Sequence, residues 1–167
     1  QNKKMWELHE QHLLVLDKKI ESLLDELNKD KPMVRSEAKV KLIRHHKPMV
    51  KDLHQKLLNL YGVNASTLSG LTDYGLLRLV GETGNELSRF PTGKHFISWC
   101  QLSPRHSQSA KMQRRIKMKN KSKAGQIFRE AAQSLIQSKN IAIGSFMRKI
   151  RAKKGGPVAI KAGARKI

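Results

Sequence analysis

Residues 5–28 read MWELHEQHLLVLDKKIESLLDELN. Leu13, Leu16, Ile20, Leu23 and Leu27 fall alternately three and four residues apart, the spacing of a coiled-coil seam. Glu7, Glu10, Asp17, Glu21, Asp25 and Glu26 interleave with Lys18 and Lys19 on the other faces. The stretch is therefore a long amphipathic helix. Strand signals are scarce in the rest of the chain, and the class reads as all-α.

Just beyond this helix, Asn28-Lys29-Asp30-Lys31-Pro32 breaks it. A second helix, over about residues 34–60, carries Val40, Ile43, Val50, Leu53, Leu57 and Leu60, with Pro48 kinking or splitting it. Two apolar seams joined by a short turn predict an antiparallel coiled-coil hairpin over residues 1–60. A bare hairpin leaves part of its seam uncovered, which predicts a homo-oligomer assembled through residues 13–60. A structural stalk is the function-neutral reading of the same pattern.

Residues 61–167 read as a second, small helical domain. Gly62 stops the preceding helix. The turn Ser69-Gly70-Leu71-Thr72 then leads into a helix with Leu76, Leu77, Leu79 and Val80, capped by Thr72 or Asp73. A glycine turn at a helix N-terminus offers free N–H groups to a phosphate. This outlines a helix-hairpin-helix and makes Gly70 and Thr72 candidate nucleic-acid contacts; an ordinary connection between core helices is the alternative. Thr92 caps a further helix with Phe96, Ile97 and Trp99 on its buried side, and the chain then meets Pro104. Ser107, Gln108 and Ser109 follow in a loop, and after them a basic run with Arg114, Arg115, Lys117, Lys119 and Lys121. Ala124, Ile127, Phe128, Ala131, Ala132, Leu135 and Ile136 pattern a helix over 123–138, and another runs from Ile141 to Ile150. Gly155-Gly156 breaks it, and Pro157 opens a last short helix from a first-turn position.

The net charge of +21 is unevenly spread. Residues 1–93 hold 15 Lys and Arg against 12 acids, whereas residues 94–167 hold 19 against the single acid Glu130. Such one-sided charge repels itself unless a polyanion neutralises it, and nucleic acid gains further from released counterions. Loose affinity for any acidic surface, membranes included, ranks second because apolar periodicity persists through the basic half. One cysteine, Cys100, excludes an internal disulfide framework and a four-cysteine zinc site. The carboxylates show no metal-like spacing, and no membrane span or phosphate-binding glycine loop of the nucleotide type is present. No cofactor is expected in this chain, no membrane partner is expected, and the compartment reads as the cytoplasm or, in a bacterium, the nucleoid. Gln1-Asn2-Lys3 lacks a starting methionine, so the chain reads as a piece of something longer.

YGV (61–63), LSGLTDYGLLRLVGETGNELSRFPTGKHFISWCQLSP (68–104) and FREAAQSLIQSKNIAIGSFMRKIRAKKGGPVAIKAGARK (128–166) together resemble a known family. They are similar to the C-terminal half of the insertion-sequence transposases of the one-ten/one-sixteen group. These are related to the Piv invertases and include bridge-RNA-guided recombinases. The resemblance covers about residues 60–167, and residues 5–60 resemble the coiled-coil insert that precedes this half. It implies a DNA strand-exchange enzyme with a split active site. A RuvC-like domain, outside these 167 residues, would supply four acidic Mg²⁺ ligands; the C-terminal half would supply a serine that joins covalently to DNA. The family's serine stands five residues past the proline, which is Ser109 here, with Ser107 as the alternative. Arg105, Lys111, Arg114 and Arg115 would neutralise charge developing on the phosphate. A guide RNA is a further partner that the resemblance implies. The chain departs from the pattern in two places: Ala110-Lys111 stand where Gly-Gly usually follows the serine, and Thr72 stands for a glycine. This fragment is expected to bind nucleic acid but not to recombine it alone. A non-catalytic DNA- or RNA-binding module, or a decayed copy, is the rival reading.

Overall fold

A computed structural model describes residues 2–41, 48–84, 86–104, 106–109, 112–115 and 122–167, the two segments between 106 and 115 as backbone. The described residues form seven α-helices, one 3₁₀ turn and one two-stranded hairpin, so the class is all-α. The chain divides into two compact units, Gln1–Thr67 with Thr72–Leu77, and Leu68–Leu71 with Arg78–Ile167.

In the first unit, helix α1 (Asn2–Asn28) packs along helix α2 (Leu53–Tyr61). The core consists of Leu24, Val50, Leu53, Leu57, Leu58, Leu60 and Leu76. Lys56 reaches across to Asp25 (2.7 Å) and Glu21 (3.4 Å), and the Met49 N–H donates to Asp17 Oδ2 (2.8 Å). Among the described residues, contacts of this kind involve one edge of α1. Leu24 is 2% exposed, but Leu13, Leu16 and Leu23 are 55%, 54% and 50% exposed.

The second helix is much shorter than its periodicity predicts. Residues 34–41 and 48–50 are not helical, and α2 begins at Leu53. Pro48 removes a backbone donor, and Asp52 sits at φ 48°, a left-handed residue through which no α-helix continues. Other bonds hold the non-helical segment against α2. The Val34 N–H donates to Asn59 Oδ1 (3.0 Å), and Gln55 Nε2 donates to the Val34 carbonyl (2.8 Å). Gly62, at φ 70°, ends α2 by donating to the Leu58 carbonyl. Beyond the 3₁₀ turn Ala65–Thr67, helix α3 (Asp73–Thr83) begins in this unit, with Thr72 Oγ1 accepting from the Gly75 N–H (3.3 Å). Asp73, buried in the first turn, instead meets His54 Nδ1 at 3.0 and 3.1 Å.

The second unit is organised on helix α5 (Lys123–Leu135), whose Ala124, Ile127, Phe128, Ala131, Ala132 and Leu135 are all buried. Helix α7 (Gly156–Lys166) packs on both α5 and α6 (Ala142–Lys154), and Pro157 occupies its first turn. Helix α4 (Gly93–Trp99) contributes Phe96, which meets Phe128 edge-on at 5.8 Å. Trp99 was expected on the buried side of this helix and is 39% exposed. It is the last residue of a two-turn helix and packs sideways on Phe90 and Phe96, with the Arg89 guanidinium 5.1 Å from its ring centre.

Candidate functional site: a serine-bearing hairpin on a clamped base

The serine segment lies within the second unit, between the end of α4 and the start of α5. At the exit, the Cys100 N–H donates to the Phe96 carbonyl and the Leu102 N–H to the Ile97 carbonyl. Between them Gln101 takes φ 58°, a left-handed conformation that costs a side-chain-bearing residue energy and turns the chain sharply out of the helix. At the return, Ser122 Oγ accepts from the Gly125 N–H (3.2 Å) and caps α5.

Exit and return are fastened to each other. Gln101 Oε1 accepts from the Ser122 N–H at 3.2 Å, across 21 positions of sequence. Arg129 reaches back along α5 to donate to the Ser122 carbonyl (3.3 Å) and to Gln126 Oε1 (3.2 Å). Burial weakens the hold of the Arg129 guanidinium on its proton, with Cys100 and Glu130 opposing that shift. Gly125 lets α5 press directly on the Cys100 carbonyl oxygen, since any Cβ there would overlap it. The Cys100 thiol is fully buried, and burial raises its pKa to about 11. It is no nucleophile at neutral pH.

The segment between these feet is a β-hairpin where the sequence predicts a loop. Strand β1 (His106–Ser109) pairs antiparallel with strand β2 (Met112–Arg115). The register sets His106 opposite Arg115, Ser107 opposite Arg114, Gln108 opposite Gln113 and Ser109 opposite Met112. Period-two alternation puts Ser107, Ser109, Met112 and Arg114 on one face of the ladder and His106, Gln108, Gln113 and Arg115 on the other. Both candidate serines thus share a face with Arg114. Arg105, Lys111, Lys117, Lys119 and Lys121 lie outside the described residues. From Arg105 to Lys121 the sequence has seven Lys or Arg and no acid.

At φ 79° Gly70 lies against α5, where a Cβ would come within 2.8 Å of the Ala131 carbonyl oxygen. Its missing side chain serves helix packing. Thr72 spends its hydroxyl on capping α3. Sequence reasoning did not find Gln101, Ser122 or Arg129: a bond across 21 positions leaves no periodic trace, and Gln is not a residue that announces a left-handed turn. Among the described residues, no group of three or more His, Cys, Asp or Glu could hold a metal ion. None of their helices is long and apolar enough to cross a membrane.

Residues 64–147, half of the chain, match the family model described as Transposase IS116/IS110/IS902 family. The match runs from Asn64 through the clamped hairpin to Met147 in α6. The chain belongs to this transposase family, whose work is the transposition of DNA. No curated protein and no solved structure matches it.

Proposed function

We propose that this chain supplies the nucleophilic serine and part of the DNA grip of a transposase. The carrying observation is the hairpin register, which sets Ser107 opposite Arg114 and Ser109 two positions along the same face. In this reading Ser109 Oγ loses its proton and bonds to phosphorus as the P–O bond to the leaving strand breaks. The leaving deoxyribose oxygen takes up a proton, and the phosphoserine ester keeps the bond energy for rejoining. Arg105, Lys111, Arg114 and Arg115 offset the charge building on the phosphate oxygens. Lys117, Lys119 and Lys121 grip the backbone further along. A clamped base suits this task because a nucleophile displaced by about 1 Å loses much of its rate.

In this reading the Mg²⁺ belongs to the family's RuvC-like part. The chemistry assigned to this chain is therefore nucleophile, charge neutralisation and grip. Residues 1–60 are assigned to assembly and 61–167 to DNA. Exposed Leu13, Leu16 and Leu23 support pairing of α1 with a second copy. A guide RNA partner and a nucleoid location rest on the family resemblance. One observation favours the rival non-catalytic module: Ala110-Lys111 follow Ser109 in place of the usual glycines.

The test is a nicked suicide DNA substrate carrying element ends, with the RuvC-like part supplied in trans. A covalent protein–DNA adduct seen by denaturing gel and mass spectrometry, and lost with Ser109→Ala but not Ser107→Ala, is the expected result. Loss with Ser107→Ala alone moves the nucleophile two residues. Binding without any adduct refutes the catalytic assignment.

A further inference from the structure

Helices α6 and α7 form an antiparallel pair about Gly155. Met147 and Gly163, each eight positions from that glycine, meet so closely that a Cβ on Gly163 would overlap the Met147 side chain. At the open end of the pair, Lys166 Nζ lies 5.5 Å from the centre of the Phe146 ring. Residues 131–167 contain nine Lys or Arg and no acid. Among the nine, Arg148 is structural: it donates to the carbonyls of Ser138 (2.6 Å) and Ile136 (3.2 Å). Lys149, Lys153, Lys154 and Arg165 are exposed and form no ion pair among the described residues.

Helix dipoles explain part of this. Each C-terminus carries about half a negative charge, so a cation or two in each last turn is offset locally. The pair carries far more positive charge than that, and Lys149 lies upstream of the last turn. Lys149 and Lys153 are four residues apart on one face, about 6 Å along the axis. Unneutralised cations on so rigid a scaffold repel one another unless a polyanion meets them. A DNA duplex, with a phosphate charge for about every 1.7 Å of its axis, has that density.

We propose that the α6–α7 pair is a second phosphate-binding surface, centred on Lys149, Lys153, Lys154 and Arg165. It holds duplex DNA by its backbone without reading bases. All four residues lie beyond Met147, where the family match ends. The surface is independent of the serine hairpin and of the chemistry proposed for it.

The experiment is fluorescence anisotropy of this chain with a labelled random-sequence duplex, titrated between about 50 and about 200 mM salt. Three variants are compared: Lys149→Gln/Lys153→Gln/Lys154→Gln, Arg165→Gln alone, and Arg114→Gln/Arg115→Gln in the hairpin. Each phosphate that the protein no longer neutralises makes the slope of log K against log salt shallower by about 0.9. The triple variant is expected to leave about two to three phosphates unneutralised and to bind at least tenfold more weakly at low salt. Arg165→Gln should leave about one, and supplies the answer if the triple variant melts early. Wild-type affinity and slope in the α6 and α7 variants would overturn the proposal, whatever the hairpin variant does. So would binding by wild type to phosphatidylserine vesicles and not to the duplex. Weakening confined to the α6 and α7 variants would support this surface and count against the hairpin grip.

Discussion

Two glycines in the second unit should respond in opposite directions to the same substitution. Gly81 lies in α3, exposed, with nothing within 4 Å of where a Cβ would stand. Gly81→Ala therefore only removes backbone freedom from the unfolded chain, and should stabilise by about 0.4–1 kcal/mol. Gly125 also lies in a helix, and propensity alone favours alanine there too. Its Cβ, however, would overlap the Cys100 carbonyl oxygen and stand 3.1 Å from the carbonyl carbon. That obstacle is backbone, held by the bonds Cys100 and Leu102 make into α4, so it cannot swing aside as a side chain would. Overpacking of this kind costs about 1–3 kcal/mol, against at most about 1 kcal/mol of helix propensity. With the full offset, a net loss of up to about 2 kcal/mol is expected. Urea unfolding followed by Trp99 emission in a Trp6→Phe background reads the second unit alone. A Gly125→Ala midpoint at or above wild type would refute the close approach of α5 to Cys100, and with it the geometry of the hairpin base.

Two further outcomes follow from burial. Cys100 should resist maleimide in the native chain and react on denaturation, because a thiol of pKa about 11 is ionised in roughly one molecule per thousand at pH 8. Burial raises its folded pKa above the ordinary 9, so its contribution to stability is intact below pH 9 and is lost as pH rises toward 11. A rise in stability over that window would contradict the assignment. On α1, Leu16→Asp with Leu23→Asp should convert an oligomer to a monomer in light scattering without moving the second unit's urea midpoint; a wild type that is itself a monomer would remove the α1 pairing.

What could be read from sequence was whatever is periodic. Helix α5 repeats its apolar residues every three or four positions, and its seven buried residues include all but one of those the pattern names. The exception, Ile136, is buried just beyond the helix end. The hairpin could not be read in the same way. His106-Ser107-Gln108-Ser109 and Met112-Gln113-Arg114-Arg115 lack β-branched residues and alternate no apolar face, so neither run carries a strand signal. Residues 34–41 and 48–50 misled in the other direction. Val40, Ile43 and Val50 suggest a seam, but Asp52 adopts a left-handed conformation and the Asn59 and Gln55 amides bind Val34. Tertiary hydrogen bonds outweigh a helical pattern interrupted by Pro48. For the site itself, Ser107, Ser109 and Arg114 were legible from their order in the chain, whereas the residues that anchor them were not.

The bond between Gln101 and Ser122 has an evolutionary corollary. Because Gln101 and Ser122 are tied together by groups outside the hairpin, that bond offsets part of the entropy of closing the segment between them. Its contents can then drift in length, charge and turn chemistry while the helices beneath keep their packing. Ala110-Lys111 in the place of two glycines is the kind of change such a frame tolerates.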